Sequence, residues 1–187
     1  MHDDQNPTIR LMFLASQKFE AGKVVRGAFL LTDSDTKPLE FRTTSPIRPS
    51  ALQSMLYGST LQQHIMVELI GIPLLNSLKD RPHLILVRDP EFLPLRPKIE
   101  IPTIQLMKEE AIPVSGSSEQ SADQLLSSPS GRFEPLVIGT HSAFVSDRQA
   151  ARALLLGIIG THDVLEPFTR ISNAVEQVHA QKIGEEK

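Results

Sequence analysis

Three aspartates stand out as residues whose type and position could support chemistry. Asp33 and Asp35 lie two residues apart in LLTDSDTKPLEFR, and Asp89 follows the apolar run HLILV. Carboxylate oxygens are ligands that Mg²⁺ prefers in proteins, and carboxylate-bound Mg²⁺ supports phosphoryl transfer. Asp33, Asp35 and Asp89 are therefore the candidate metal ligands of this chain.

A turn is the simpler interpretation of Asp33 and Asp35. The stretch DSDTKP lies between two strand-like runs, and Asp, Ser and Pro favour turns because they bond to the local backbone or fix its dihedral angles. A calcium loop needs further oxygen ligands at set positions, a central glycine and a terminal glutamate, and none of these follows. The pattern therefore favours a hairpin turn at this point.

Asp89 has the more suggestive position, because ligands often bind beyond the carboxyl ends of strands in an open sheet. Its neighbours also allow a structural role. Asp before Pro commonly starts a turn, and Arg88 beside it is a ready partner on the surface.

A candidate anion site is formed by Arg42, Arg48 and Ser50. Ser50 and Gln53 have the spacing of a capping box, which predicts that a helix begins there. Free N–H groups at a helix start, together with guanidinium groups, suit a phosphate or carboxylate ligand. This is the preferred polar site on sequence grounds, and the alternative is that both arginines pair with nearby acids.

Composition excludes several classes of function. The chain has no cysteine, so it has no disulfides, thiolate nucleophiles or cysteine-containing zinc sites. The motifs GxxxxGK[ST], GxGxxG and GxSxG do not occur. A formal net charge of −3 and the lack of tryptophan leave nucleic-acid binding unsupported. The polar N-terminus and the short apolar runs predict no membrane partner and a cytoplasmic location.

The chain divides at a segment with linker composition. Residues 109–131 contain seven serines, two prolines, two glycines and four acids, with no basic residue. Such a segment buries little apolar surface, which predicts a flexible loop. Residues 1–108 then form the main body, and residues 132–187 supply a strand and two helices that complete the same domain.

Apolar periodicity predicts the order of the elements as three strands, a helix, two strands, the loop, a strand and two helices. HLILV, uninterrupted and bounded by prolines, is typical of a strand buried on both faces, and PTIQL is predicted to be its parallel neighbour. The segments concerned are IRLMFLA, VVRGAFLLT, PLEFRTT, the helical block that begins at Ser50, HLILV, PTIQL, PLVIG, RQAARALLLGII and the last helix from Val164 to Val178.

This order predicts an α/β or α+β domain of three layers. Its mixed sheet has an antiparallel three-strand unit at the N-terminus and flanking helices. The arrangement is similar to ribonuclease H-like folds. That resemblance implies a metal-binding carboxylate on the first strand, but IRLMFLASQKF has no acid before Glu20.

The missing motifs favour a non-catalytic protein-interaction or assembly module without a cofactor, which would bind a protein partner or a second copy of the chain. The alternative is a metal-dependent phosphoryl-transfer enzyme, such as a nuclease, with Mg²⁺ held by Asp33, Asp35 and Asp89. A third hypothesis is a sensor of small anions that uses Arg42 and Arg48. Whether the chain is an enzyme stays open on sequence grounds.

Overall fold

A mixed sheet of seven strands forms the centre of the protein. The computed structural model describes residues 9–108 and 124–185, with side chains to residue 181. The strand order across the sheet is β3-β2-β1-β4-β5-β7-β6. The strands are β1 (Leu11–Phe19), β2 (Val24–Thr32), β3 (Pro38–Thr43), β4 (Leu84–Val87), β5 (Thr103–Lys108), β6 (Leu125–Leu126) and β7 (Leu136–Thr140).

The strand directions confirm the predicted mixed α/β fold. β1, β2 and β3 form an antiparallel unit, in which Leu11 pairs with Thr32. β5 (PTIQL) runs parallel to β4 (HLILV), as predicted, and β4 also runs parallel to β1. β4 is buried along its whole length because helical layers cover both faces of the sheet.

The helical segments cover the two faces of the sheet. Ser50 and Gln53 form the predicted capping box at the start of α1, and Gly58 ends α1 with a positive φ of 52°. A π-helical turn joins α2 to α3, so the helical block predicted from Ser50 consists of several short helices. The segments are α1 (Ala51–Tyr57), α2 (Leu61–His64), the π-helix Ile65–Gly71, α3 (Ile72–Asn76), a 3₁₀ helix (Pro90–Lys98), α4 (Asp147–Ile159) and α5 (Glu166–Glu185).

Alternation along β1 divides the core into two apolar clusters. Leu11 and Phe13 pack towards α4 and α5, whereas Met12 and Leu14 pack towards the helices of residues 61–76. Successive side chains of a strand point to opposite faces, so one strand supplies both clusters. This arrangement makes β1 and β4 the central strands, and their ends define the middle of the sheet edge.

Most of the predicted flexible loop, residues 109–123, lies outside the described residues. The remainder of that loop contains β6, which pairs with β7 through Leu125 and Leu126. Among the described residues, no helix is long and apolar enough to cross a bilayer. The cytoplasmic location stays a prediction.

Candidate functional site

The carboxyl ends of β1 and β4 meet at one edge of the sheet, where Asp89 follows β4. The Oδ2 atom of Asp89 accepts hydrogen bonds of 2.9 Å from both the backbone N–H and the hydroxyl of Ser16. β1 continues past the end of β4, which leaves its backbone N–H groups without strand partners on that side. Asp89 satisfies one of these donors and so joins the two strand ends.

Arg88 connects the same edge to helix α5. Its Nη1 atom donates to the hydroxyl of Ser172 at 3.0 Å, and its Nη2 atom donates to the backbone carbonyl of Ser16. The Nε atom lies 3.7 Å from Oδ1 of Asp89. From β5, the amide of Gln105 donates to the Arg88 carbonyl at 3.1 Å. Strand β1, the end of β4, β5 and α5 therefore all contact one arginine.

A cleft of about 340 Å³ opens beside Arg88, between β5 and α5. Three apolar side chains line part of it, and three polar side chains line the rest. Such a combination suits a ligand that has an apolar part and an anionic part. The lining residues are Leu106, Leu165, Phe168, Arg88, Thr169 and Ser172.

Polar contacts continue along β1 and α5 away from the cleft. Gln17 donates from Nε2 to the Glu176 carboxylate at 2.8 Å, and Glu176 lies one helical turn beyond Ser172. Arg26, which pairs with Gln17 across the sheet, is only 1% exposed and donates from Nε to His179 Nδ1 at 3.1 Å. Burial, and secondarily the positive charge of Arg48, lower the pKa of the Arg26 guanidinium.

A second cavity, of about 480 Å³, lies near the end of β1 but against the other face of the sheet, where Val25, Leu61 and Ile65 line it. Its lining includes Lys18, Lys23 and Arg48, together with Glu20, which pairs with Arg48 at 2.7 Å. Three cationic side chains against one acid give this cavity a local positive charge, although the whole chain carries −3.

The structure does not bring the three aspartates together. Asp33 accepts hydrogen bonds from the N–H groups of Asp35 and Lys37 at 3.0 Å and 2.9 Å, so its carboxylate closes the predicted turn. That turn follows Thr32, which pairs with the first residue of β1, whereas Asp89 contacts Ser16 near the other end. At about 3.3 Å per residue, the two positions are about 17 Å apart along β1.

The residues of the candidate anion site also face different partners. Arg42 pairs with Glu40 at 2.6 Å, Arg48 pairs with Glu20, and Ser50 caps the seven-residue helix α1. Burial would raise the pKa of Glu40, but hydrogen bonds from Arg42 and from the Lys79 N–H outweigh it and lower the pKa. Both arginines are thus paired with acids, as the alternative interpretation proposed.

The described residues at this edge do not fit a magnesium site. In residues 9–108 and 124–185, no group of three or more acidic or histidine side chains could hold a metal ion. At the position where β1 contacts Asp89, the chain has the hydroxyl of Ser16 instead of a carboxylate. The adjacent positive charge of Arg88 would also repel a divalent cation.

Sequence analysis missed Ser16, Ser172 and Glu176, and treated Arg88 only as a surface partner of Asp89. Ser16 is 73 residues from Asp89, and Ser172 is 84 residues from Arg88. No local motif marks such pairs. The resemblance to ribonuclease H-like folds pointed to the first strand. It implied an acidic residue there, so it did not single out Ser16.

Comparisons with known proteins give a consistent structural match. No protein-family model and no curated protein sequence matches this chain. The chain is similar to solved structures of endonuclease V. The Streptomyces avermitilis protein has a TM-score of 0.56 at 15% identity, covering 92% of this chain and 83% of that chain. Human endonuclease V has a TM-score of 0.54 at 12% identity, with 98% and 89% covered. The Ciona intestinalis protein, in complex with DNA containing an inosine followed by a ribo-adenosine, has a TM-score of 0.54 at 10% identity, with 92% and 88% covered.

These matches correct two predictions made from the sequence. The prediction of a non-catalytic protein-interaction or assembly module is wrong, since the solved structures that the chain matches are those of endonuclease V. The statement that nucleic-acid binding is unsupported is also wrong, because structures with this fold hold DNA. Net charge is a weak guide to nucleic-acid binding because it averages over the surface, whereas binding depends on local charge. The chain therefore has the ribonuclease H-like fold of endonuclease V, as a seven-stranded mixed sheet with flanking helices.

Proposed function

We propose that this chain acts on nucleic acid and hydrolyses its phosphodiester bonds. The nucleic acid would lie along the edge of the sheet at the carboxyl ends of β1 and β4. The observation that carries the proposal is the match to endonuclease V structures over 92% or more of this chain. The Ciona intestinalis protein holds DNA in that fold.

The geometry of the edge supports this choice of site. Ligands of open sheets bind beyond the carboxyl ends of parallel strands, and β1, β4 and β5 all run towards this edge, where β4 ends first. In the 340 Å³ cleft, Arg88 and the hydroxyls of Thr169 and Ser172 suit a phosphate group, while Phe168 and its apolar neighbours suit a sugar or a base. Lys18 and Lys23 lie near the end of β1 on the other face of the sheet, where they would attract phosphates of nucleic acid that continues past the end of β1.

Mg²⁺ is the cofactor that the sequence left as an alternative, and many nucleases use metal ions. Asp89 is the carboxylate at the strand ends, but its Oδ2 atom is occupied by Ser16 and its Oδ1 atom faces Arg88. The described residues at this edge do not fit a bound metal ion. The roles that the residues support are binding and orientation: Arg88 holds a phosphate, and Asp89 keeps Arg88 and the end of β1 in place.

The test is to measure binding and cleavage of labelled single-stranded and double-stranded DNA and RNA, including strands that contain inosine. Binding is followed by fluorescence anisotropy, and cleavage is followed on denaturing gels in Mg²⁺, in Mn²⁺ and in EDTA. We expect saturable binding and strand cleavage by the purified chain. Binding without cleavage in any condition would contradict the hydrolytic part of the proposal, and the absence of both would contradict all of it.

A matched pair of helix variants controls for contaminating nucleases. Thr169→Trp adds bulk on the exposed face of α5 that lines the cleft, whereas Asn173→Trp adds the same bulk at an exposed position of α5 outside the cleft lining. Thr169→Trp should weaken binding and cleavage by about tenfold or more, because a filled cleft loses its desolvated contacts. Asn173→Trp should change neither. Equal activity of both variants would argue against this cleft.

A further inference from the structure

The edge that would hold nucleic acid has a guanidinium group where a metal-dependent site would need carboxylates. The ribonuclease H-like resemblance implies a metal-binding carboxylate on the first strand, and this chain has Ser16 at the point where β1 contacts Asp89. Arg88 lies against both residues, since it donates to the Ser16 carbonyl and its Nε is 3.7 Å from Asp89 Oδ1. The positive charge at the ends of β1 and β4 is thus the guanidinium of Arg88, and not a bound metal ion.

The contacts of Arg88 keep its guanidinium in a defined orientation. One hydrogen bond goes to β1 through the Ser16 carbonyl and one goes to α5 through the Ser172 hydroxyl. A guanidinium has five N–H donors, so these two bonds and the contact with Asp89 leave donors that no described residue accepts. The side chain of Arg88 is 40% exposed and lines the cleft beside Thr169 and Ser172.

The charges of Arg88 and Asp89 favour a site where a guanidinium binds an anion over a site that binds a metal ion. Asp89, whose side chain is 24% exposed, is the carboxylate beside Arg88, and its charge is already compensated by this arginine. A divalent cation would need several oxygen ligands and would be repelled by the guanidinium. A phosphate, in contrast, is attracted by Arg88 and repelled by Asp89.

We propose that the guanidinium of Arg88 takes the place of a bound cation, holding a backbone phosphate of the nucleic acid in the cleft without a divalent metal ion. This inference rests on the proposed action on nucleic acid. The fork of an arginine matches a phosphate bidentately, and the hydroxyls of Thr169 and Ser172 add donors on the same wall of the cleft. Asp89 then serves as a positioning residue for Arg88, not as a metal ligand.

The first experiment measures anisotropy binding of a labelled DNA or RNA strand in EDTA and in Mg²⁺ for the wild-type chain, Arg88→Gln and Arg88→Lys. We expect equal affinity of the wild type in both buffers. Arg88→Gln should lose about tenfold in affinity in both buffers, because a charge-assisted hydrogen bond to phosphate is lost. Arg88→Lys should keep part of the affinity because it keeps the charge.

The dependence of binding on salt separates phosphate contact from a purely structural role of Arg88. Arg88→Gln should reduce the slope of log K against log salt by about one unit, whereas Arg88→Lys should not. Arg81→Gln is the matched control, because Arg81 is also an arginine paired with an acid, Glu100, but precedes β4 at the opposite edge. Melting curves of each variant show whether it remains folded.

Asp89→Asn should change the affinity for nucleic acid in opposite directions at a guanidinium site and at a metal site. Removing the negative charge beside Arg88 should tighten binding by about threefold, since repulsion of the phosphate is relieved. An asparagine Oδ1 can still accept the Ser16 N–H hydrogen bond. At a metal site, the same change would instead weaken metal-dependent binding.

The outcomes separate this inference from the proposed function. Binding that needs Mg²⁺, is weakened by Asp89→Asn and is unaffected by Arg88→Gln would overturn the inference and leave the proposed function standing. A rise in melting temperature with Mn²⁺ alone that Asp89→Asn abolishes would also overturn it. If no nucleic acid binds in either buffer, the proposed function fails and the inference fails with it.

Discussion

Two arginine–aspartate pairs in this chain differ in exposure, which suits them to different roles. Arg88 and Asp89 have side chains that are 40% and 24% exposed, so ligands can reach them. Arg96 and Asp147 are 15% and 4% exposed. Asp147 accepts from Nε and Nη2 of Arg96 at 2.7 Å and 3.2 Å, and from the backbone N–H of Thr103 at 3.1 Å. The first pair is available for binding, and the second joins α4 to the start of β5.

Asp147→Ala should destabilise the fold by about 3 kcal/mol, because it leaves a half-buried guanidinium and a buried N–H without their acceptor. Urea denaturation measures the change. Glu100→Ala is the control, since Glu100 is 89% exposed and pairs with Arg81 at 3.4 Å, and its loss should cost less than about 0.5 kcal/mol. Similar losses for both variants would mean that burial does not decide the contribution of the pair.

At the scale of elements, close approach of the backbone sets how the π-helix lies on the sheet. A Cβ atom added to Gly27 of β2 would lie 1.9 Å from Cγ2 of Ile70, and one added to Gly71 would lie 2.6 Å from a methyl group of Leu95. Ile70 is completely buried. Because Gly27 has no side chain, the π-helix packs directly on β2, and because Gly71 has none, Leu95 of the 3₁₀ helix packs directly against the π-helix.

Gly27→Ala should destabilise the protein by about 2–3 kcal/mol, because the added methyl group overpacks the contact with Ile70. Gly157→Ala in α4 is the control, since nothing lies within 4 Å of its Cβ position. It should stabilise the helix by about 0.5–1 kcal/mol. Denaturant unfolding of Gly27→Ala, Ile70→Ala and the double variant gives the coupling energy. A coupling near zero would show that the two residues do not clash.

At the scale of the whole molecule, the distribution of charge matters more for attraction to nucleic acid than the net charge does. The chain carries −3 overall, yet Arg88 lies at the end of β4 on one face of the sheet, and Lys18, Lys23 and Arg48 lie near the end of β1 on the other face. Long-range attraction to nucleic acid is therefore weak, and the proposed binding would depend on a few local contacts. The fold supplies this concentration of charge by ending β1 and β4 at the same edge and turning the chain back into β2 beside them.

The slope of log K against log salt for duplex DNA should lie between about −1 and −4, because each phosphate contact contributes about −0.9. Titrations at several salt concentrations measure it. Lys18→Gln combined with Lys23→Gln should make the slope shallower by up to about two units, whereas Lys37→Gln, in the turn at the opposite end of the sheet, should leave it unchanged. A slope steeper than about −6 would mean that cations elsewhere carry the binding.

The sequence by itself determined the order and type of most elements. Alternation, the uninterrupted HLILV run and the capping box at Ser50 predicted the antiparallel unit, the parallel strands and the first helix, because these signals depend on residues that are neighbours along the chain. The turn at Asp33 was predictable for the same reason, since its carboxylate bonds to the backbone two and four residues on.

Only the tertiary structure decided which polar residues meet. It separated Asp33 from Asp89 by the length of β1, and it joined Ser16, Arg88 and Ser172 across 73 to 84 residues of chain. Such contacts depend on strand order and on the position of α5, and neither leaves a local pattern. The correction of the interaction-module prediction also came from the fold as a whole, through its match to endonuclease V structures. The reason is physical: the sheet edge concentrates charges that are dispersed along the sequence.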